Sequence, residues 1–122
     1  MDRRAVTVLR ELAREGPSTV VVRGDCMAPL LRSGQEVQVR ARRVYLPGDV
    51  IVFRTRNGEL AAHRVLGWRP AGVVTKGDHC HEHDAPVGRA EIVGAIDVPV
   101  TLSQRLHAAV AFLRILLRRL TR

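Results

Sequence analysis

Three short segments of the chain hold the side chains most able to do chemistry. Val22-Arg23-Gly24-Asp25-Cys26-Met27-Ala28-Pro29 sets a thiol in a tight loop between glycine and proline, just past a β-branched run, a geometry that exposes Cys26 as a potential nucleophile. Ala62-His63-Arg64-Val65 places an imidazole on a strand-like run that follows the Asn57-Gly58 turn. Thr75-Lys76-Gly77-Asp78-His79-Cys80-His81-Glu82-His83-Asp84 gathers a second thiol, further imidazoles and carboxylates. A thiol near an imidazole is the equipment of nucleophilic acyl chemistry, because the thiolate attacks a carbonyl carbon and the imidazole manages the proton. The same side-chain types bind zinc, so Cys80 with His81 or His83 could join Cys26 and His63 around a metal, although the spacing matches no standard zinc motif.

Taken in order, Gly24-Asp25-Cys26-Met27-Ala28-Pro29, then Pro47-Gly48-Asp49-Val50-Ile51-Val52-Phe53, then His63-Arg64-Val65, then Thr75-Lys76-Gly77-Asp78 with the further Asp84 resemble the type I signal peptidases over roughly residues 20–97. Each block alone is unspecific, since Pro-Gly-Asp turns are common; all of them in the correct order and spacing are specific. His63 stands where the usual bacterial branch has lysine, so the chain is similar to the archaeal and endoplasmic-reticulum branch. The resemblance implies the family's twisted β fold and a serine-type endopeptidase chemistry that removes leader segments after small residues.

On that resemblance Cys26 takes the place of the family's nucleophilic serine, and His63 is the general base and acid. By position, Asp84 or Asp78 would be the third member, with Asp84 preferred for orienting His63 and Asp78 for ordering the loop. The backbone N–H of Cys26 is the first candidate for an oxyanion donor. Gly24 lacks the side-chain hydroxyl that the bacterial branch can supply from its position, so oxyanion stabilisation would rest on backbone groups, at a cost in rate. Met27, Pro29 and Leu30 follow the nucleophile and are candidates for the substrate groove, with core packing beneath the loop as the other reading of Met27 and Leu30. Arg64 reads as structural, and Lys76 as a loop contact rather than a base. This reading needs no cofactor. Two others compete with it: a redox-sensitive disulfide between Cys26 and Cys80, and a catalytically inactive or zinc-holding binding or regulatory module on the same fold.

These residues require a scaffold that brings distant segments together. Residues 2–15 place Val6, Leu9 and Leu12 or Ala13 at spacings of three and four between charged side chains, which predicts a short amphipathic helix stopped by Gly16-Pro17. The Thr19-Val20-Val21-Val22 run reads as a buried strand. Strand-like runs recur at residues 36–40, 49–54, 60–66, 73–75 and 91–97, separated by turn formers, of which Asn57-Gly58 is the strongest hairpin signal. Val37 and Val39 alternate with Gln38 and Arg40, which turns one strand face inward and the other to water. The expectation is a mostly β domain over residues 1–100, a compact twisted sheet of barrel-like form. Residues 101–122 form a separate amphipathic element, helical in period from 102 to 120, with Leu102, Leu106, Ala109, Leu113, Leu116, Leu117 and Leu120 on one face.

Composition bounds the partners. With 46% hydrophobic and 26% charged residues the chain fits one globular domain, which excludes a disordered protein. Tyr45, Phe53, Trp68 and Phe112 are the only aromatics, so the core must be aliphatic and a stacking platform for single-stranded nucleic acid is not expected. The net charge is +8, yet residues 101–122 carry five arginines and no acid, leaving the body nearly balanced. A basic, apolar-rich tail suits an anionic membrane surface or a partner protein better than nucleic acid. Two cysteines are too few for a disulfide framework, and no apolar run reaches signal-peptide or membrane-spanning length. The expected setting is the cytoplasm, with a precursor or leader peptide as substrate; residues 101–122 read either as a helix that covers the domain or pairs with a second copy, or as a peripheral attachment to a membrane surface.

Overall fold

The computed structural model describes residues 1–120; Arg122, the last of the tail arginines, lies outside the described residues. The β-branched runs become six strands: β1 (Ser18–Val21), β2 (Glu36–Arg40), β3 (Val50–Arg54), β4 (Leu60–Arg69), β5 (Gly72–Lys76) and β6 (Ile92–Ile96). Helix α1 (Arg3–Glu15) precedes them and α2 (Leu102–Leu120) follows. All neighbouring strands pair antiparallel in the order β1-β2-β6-β3-β4-β5, so the last strand in sequence is inserted at the middle of the sheet. The strands lie where the hydrophobic runs predict them, except that β4 continues to Arg69, past a bulge between Val65 and Gly67.

The sheet is open, which corrects the barrel-like form expected from the sequence. Closure would need the two edge strands, β1 and β5, to pair, and among the described residues no ladder joins them. One hydrogen bond, from Arg23 N–H to the Leu60 carbonyl (2.9 Å), reaches from the chain beyond β1 to the start of β4, and no ladder follows it.

Helix α1 is capped by Asp2, whose carboxylate accepts from Ala5 N–H at 2.8 Å, and it buries Val6 and Ala13 against the sheet. That choice leaves Leu12 exposed. The strands β3 and β6 are buried along almost their whole length, as expected of central strands covered on both faces, while β2 alternates between exposed and buried residues. By register, Ile51, Phe53, His63, Val65 and Thr75 share one face of the sheet, and Val50, Val52, Ala62 and Arg64 share the other.

Helix α2 packs across β4 with Ala108, Ala111, Phe112 and Ile115 against Leu66 and Val74. The leucine face read from the sequence is therefore not the docked one: Leu102, Leu106, Leu113, Leu117 and Leu120 are exposed. The close approach explains the difference. At Gly67 a Cβ would lie 2.1 Å from the Phe112 ring, so the helix seats an aromatic edge in the gap of the missing side chain, flanked by alanines too small to hold it away. Arg105 locks the near end, donating to the Asp49 carboxylate (3.0 Å) and the Pro47 carbonyl (3.1 Å). Among the described residues no helix is long and apolar enough to cross a membrane.

Candidate active site

The β3–β4 hairpin turns where Gly58 adopts a φ of +78° and returns its N–H to the Thr55 carbonyl. This places His63 in mid-strand opposite Ile51, with its ring edge-on to Phe53 at a centroid separation of 5.5 Å. After β5 the chain loops out over residues 77–83 and comes back, with Asp84 N–H donating to the Thr75 carbonyl at 2.8 Å. That return carries the Asp84 carboxylate to the imidazole: His63 Nδ1 is hydrogen-bonded to Asp84 Oδ2, and the same oxygen accepts from the Thr75 hydroxyl at 2.8 Å. Burial pushes the Asp84 carboxyl up, but the hydrogen bonds from His63 and Thr75, aided by the His63 and His83 charges, outweigh it and hold the group below its ordinary value. Asp84 is thus an ionised acceptor at neutral pH, and Nε2 is the nitrogen left to His63 for proton transfer.

The thiol loop is cinched by its own polar groups. Gly24, at a φ of +92°, donates to Ser33 Oγ (3.1 Å), Ser33 N–H donates to Asp25 Oδ1 (2.8 Å), and Ala28 N–H closes on the Asp25 carbonyl (3.0 Å). Residues 77–84 are stitched to it through His79 N–H, which donates to the Cys26 carbonyl at 2.8 Å. Among the described residues the Cys26 N–H has no hydrogen-bond partner, which leaves it available as an oxyanion donor. Gly77 makes the approach possible, since a Cβ there would lie 2.6 Å from Cys26 Cβ and 2.8 Å from Cys80 Sγ. The Cys26 and Cys80 thiols are unbridged and come together beside Gly77. The neighbouring Cys80 thiol, then burial, then the charges of Cys80, Asp84 and Asp25 push the Cys26 thiol up. The Cys26 thiol is therefore neutral at rest, with Cys80 rather than an imidazole as its dominant neighbour.

The remaining candidates separate clearly. Asp78 is not brought to His63; both its oxygens are bound by Arg64 at 2.9 Å, and Arg64 also donates to the Gly48 carbonyl at 2.7 Å. Asp78 therefore orders the loop, and its place among the catalytic residues is withdrawn. Met27 is likewise withdrawn from the substrate groove: it is 2% exposed, packs with the core that includes Val22 and Leu31, and its sulfur accepts from Asp78 N–H at 3.3 Å. Pro29 and Leu30 stay exposed beside the nucleophile. Lys76 pairs with Arg64 across the β4–β5 ladder and lines the clefts beneath α2. Among the described residues no three His, Cys, Asp or Glu side chains are grouped to hold a metal ion, so the zinc arrangement has no ligand cluster.

Thr75 is the site residue that sequence reasoning missed. It is fully buried, and the one signal for it is a hydroxyl closing the apolar Val73-Val74 run of a strand, where it needs a polar partner. A cleft of about 500 Å3 opens beside the imidazole, lined by Phe53, Arg56, His63, Asp84, Pro86 and Val87 among others. No family model matches the chain, and no curated protein matches it in sequence.

Proposed function

We propose that the protein is a signal-peptidase-like thiol endopeptidase that cleaves a precursor or leader peptide, with Cys26 as nucleophile, His63 as general base and acid, and Asp84 orienting His63. One observation carries the reading: a single segment, residues 77–84, ties the thiol loop to the imidazole, binding the Cys26 carbonyl through His79 N–H and His63 Nδ1 through Asp84. In the reaction His63 Nε2 takes the thiol proton and the Cys26 sulfur adds to the scissile carbonyl carbon. The oxyanion then meets the Cys26 N–H. Collapse breaks the C–N bond as the imidazolium gives its proton to the leaving amine, leaving a thioester. Water deprotonated by the same imidazole releases the acid and restores the thiol. On this reading the cleft beside His63 is the place for the peptide, and the preference for small residues next to the scissile bond follows from the resemblance to signal peptidases.

The test combines a mixed peptide library, read by mass spectrometry, with the pH dependence of iodoacetamide labelling resolved at Cys26. Cleavage is expected to vanish in Cys26→Ala and to fall roughly 100- to 10,000-fold in His63→Ala. Labelling of Cys26 at neutral pH is expected to fall in His63→Ala as well. Cleavage that survives Cys26→Ala, or a Cys26 that stays inert together with an uncut library, overturns the reading in favour of a binding module.

A further inference from the structure

Helix α2 has two apolar faces, and only one is used by the fold. Ala108, Phe112 and Ile115 bury themselves on β4 and β5. Leu102, Leu106, Val110, Leu113 and Leu120 are 73%, 58%, 45%, 56% and 81% exposed. At ~100° per residue these five fall within a sector about 80° wide, roughly opposite Ala108 and Ile115. The helix cannot roll to hide them, because Phe112 is nested on Gly67 and Arg105 is clamped to Asp49 and Pro47. A rigid domain thus holds a continuous ridge of large aliphatic side chains in water, which a soluble monomer rarely does without a partner for it.

The charge pattern selects the partner. Residues 101–122 contain five arginines and no acid. Arg114 stands at the margin of the ridge, and Arg114 and Arg119 join Lys76, His81 and His83 around a neighbouring cleft whose one lining carboxylate, among the described residues, is Glu82. Pairing two copies through this ridge would set two acid-free arginine helices against each other, whereas an anionic bilayer takes the leucines into its acyl boundary and the arginines into its phosphates. We infer that α2 is an in-plane anchor that seats the protein on anionic phospholipid surfaces through the ridge formed by Leu102, Leu106, Val110, Leu113 and Leu120. The inference stands apart from the peptidase reading, since none of these residues belongs to the Cys26–His63 site.

The full chain would be co-sedimented with vesicles of phosphatidylcholine alone or mixed with phosphatidylglycerol, at low and high salt. Binding is expected on the mixed vesicles only, and weakened by salt. Leu106→Ser combined with Leu113→Ser removes side chains that the domain does not bury, so the thermal melt is unchanged while vesicle affinity falls about tenfold for each leucine. Arg114→Gln weakens binding to the mixed vesicles alone. Failure to sediment with the mixed vesicles overturns the inference, as does undiminished binding by the double leucine variant. A concentration-dependent dimer that the leucine substitutions dissolve, with no vesicle binding, assigns the ridge to self-association instead.

Discussion

Cys26 and Cys80 meet over Gly77, and the neighbouring Cys80 thiol is the largest cause that pushes the Cys26 thiol up and keeps it neutral at rest. The contact bears on the reactivity of the nucleophile: with the Cys80 thiol beside it, the thiolate is disfavoured. Cys80→Ala removes the largest cause of the raised pKa, so Cys26 is expected to alkylate at lower pH than in the parent, with Cys80→Ser in between because its hydroxyl can still hydrogen-bond. The sign for stability follows. A thiol whose folded pKa is raised stabilises the fold fully below the ordinary value of about 8.5 and loses that contribution as pH rises through the folded pKa. An unchanged labelling profile in Cys80→Ala would remove Cys80 from any part in setting the reactivity of Cys26.

Thr75 and His63 share one oxygen of Asp84, and each makes the carboxylate easier to ionise. Thr75→Val keeps the shape and deletes the hydroxyl. A hydrogen bond to a charged, half-buried group contributes about 1–2 kcal/mol, so urea unfolding at neutral pH is expected to show a loss of that size. The depressed pKa of Asp84 adds stability that is present above the ordinary carboxylate value of about 3.9 and lost as pH falls through the lower folded value. The Thr75→Val penalty should therefore shrink in acid. A penalty equal at neutral and acid pH would mean that Thr75 acts through packing alone.

Most of the scaffold is legible because hydrophobic period and turn chemistry are local. Val37 and Val39 alternate with polar neighbours, Gly58 needs its positive φ, and Gly16-Pro17 ends a helix, so each element can be read from its own residues. What is not legible depends on contacts between distant segments. The composition of α2 reveals an apolar stripe, but the choice of Phe112 over the leucines is made by Gly67, 45 residues earlier in the chain. Asp78 and Asp84 are equivalent as a spacing. Arg64 takes one and His63 takes the other because neighbouring residues on β4 point to opposite faces of the sheet. The partner of Cys26 is hidden for the same reason, since nothing local connects the thiol loop with Cys80.

Asp49 is 3% exposed and ionic, so its surroundings must neutralise it. It accepts from Leu46 N–H at 2.8 Å and from Arg105 at 3.0 Å, while Arg42 approaches only to 4.0 Å. Arg105→Met keeps the aliphatic stem and leaves the buried carboxylate short of its main cation. A cost of about 2–4 kcal/mol is expected, with hydrogen exchange accelerated throughout α2. Asp49→Asn combined with Arg105→Met should recover part of that loss, because no uncompensated charge remains. If Arg105→Met costs less than Leu106→Ser on the open side of the same helix, the ion pair does not hold α2 in place.

Gly67 tests the seating of α2 from the sheet side. Its backbone lies outside the left-handed region, so alanine is allowed conformationally and any penalty is steric. The new methyl would lie 2.1 Å from Phe112 Cδ2 and 2.4 Å from Cε2, closer than any relaxed contact, and the ring has the whole helix behind it. Gly67→Ala is expected to destabilise by about 1–3 kcal/mol, the usual cost of overpacking, through displacement of α2 rather than unfolding of β4. Phe112→Leu alone leaves a small void, but combined with Gly67→Ala it supplies the space the methyl needs, so the double variant should be more stable than the sum of the two losses predicts. Urea denaturation of the four proteins in the cycle measures this coupling. Strict additivity would show that Phe112 and Gly67 do not touch, and that α2 reaches the sheet by other contacts.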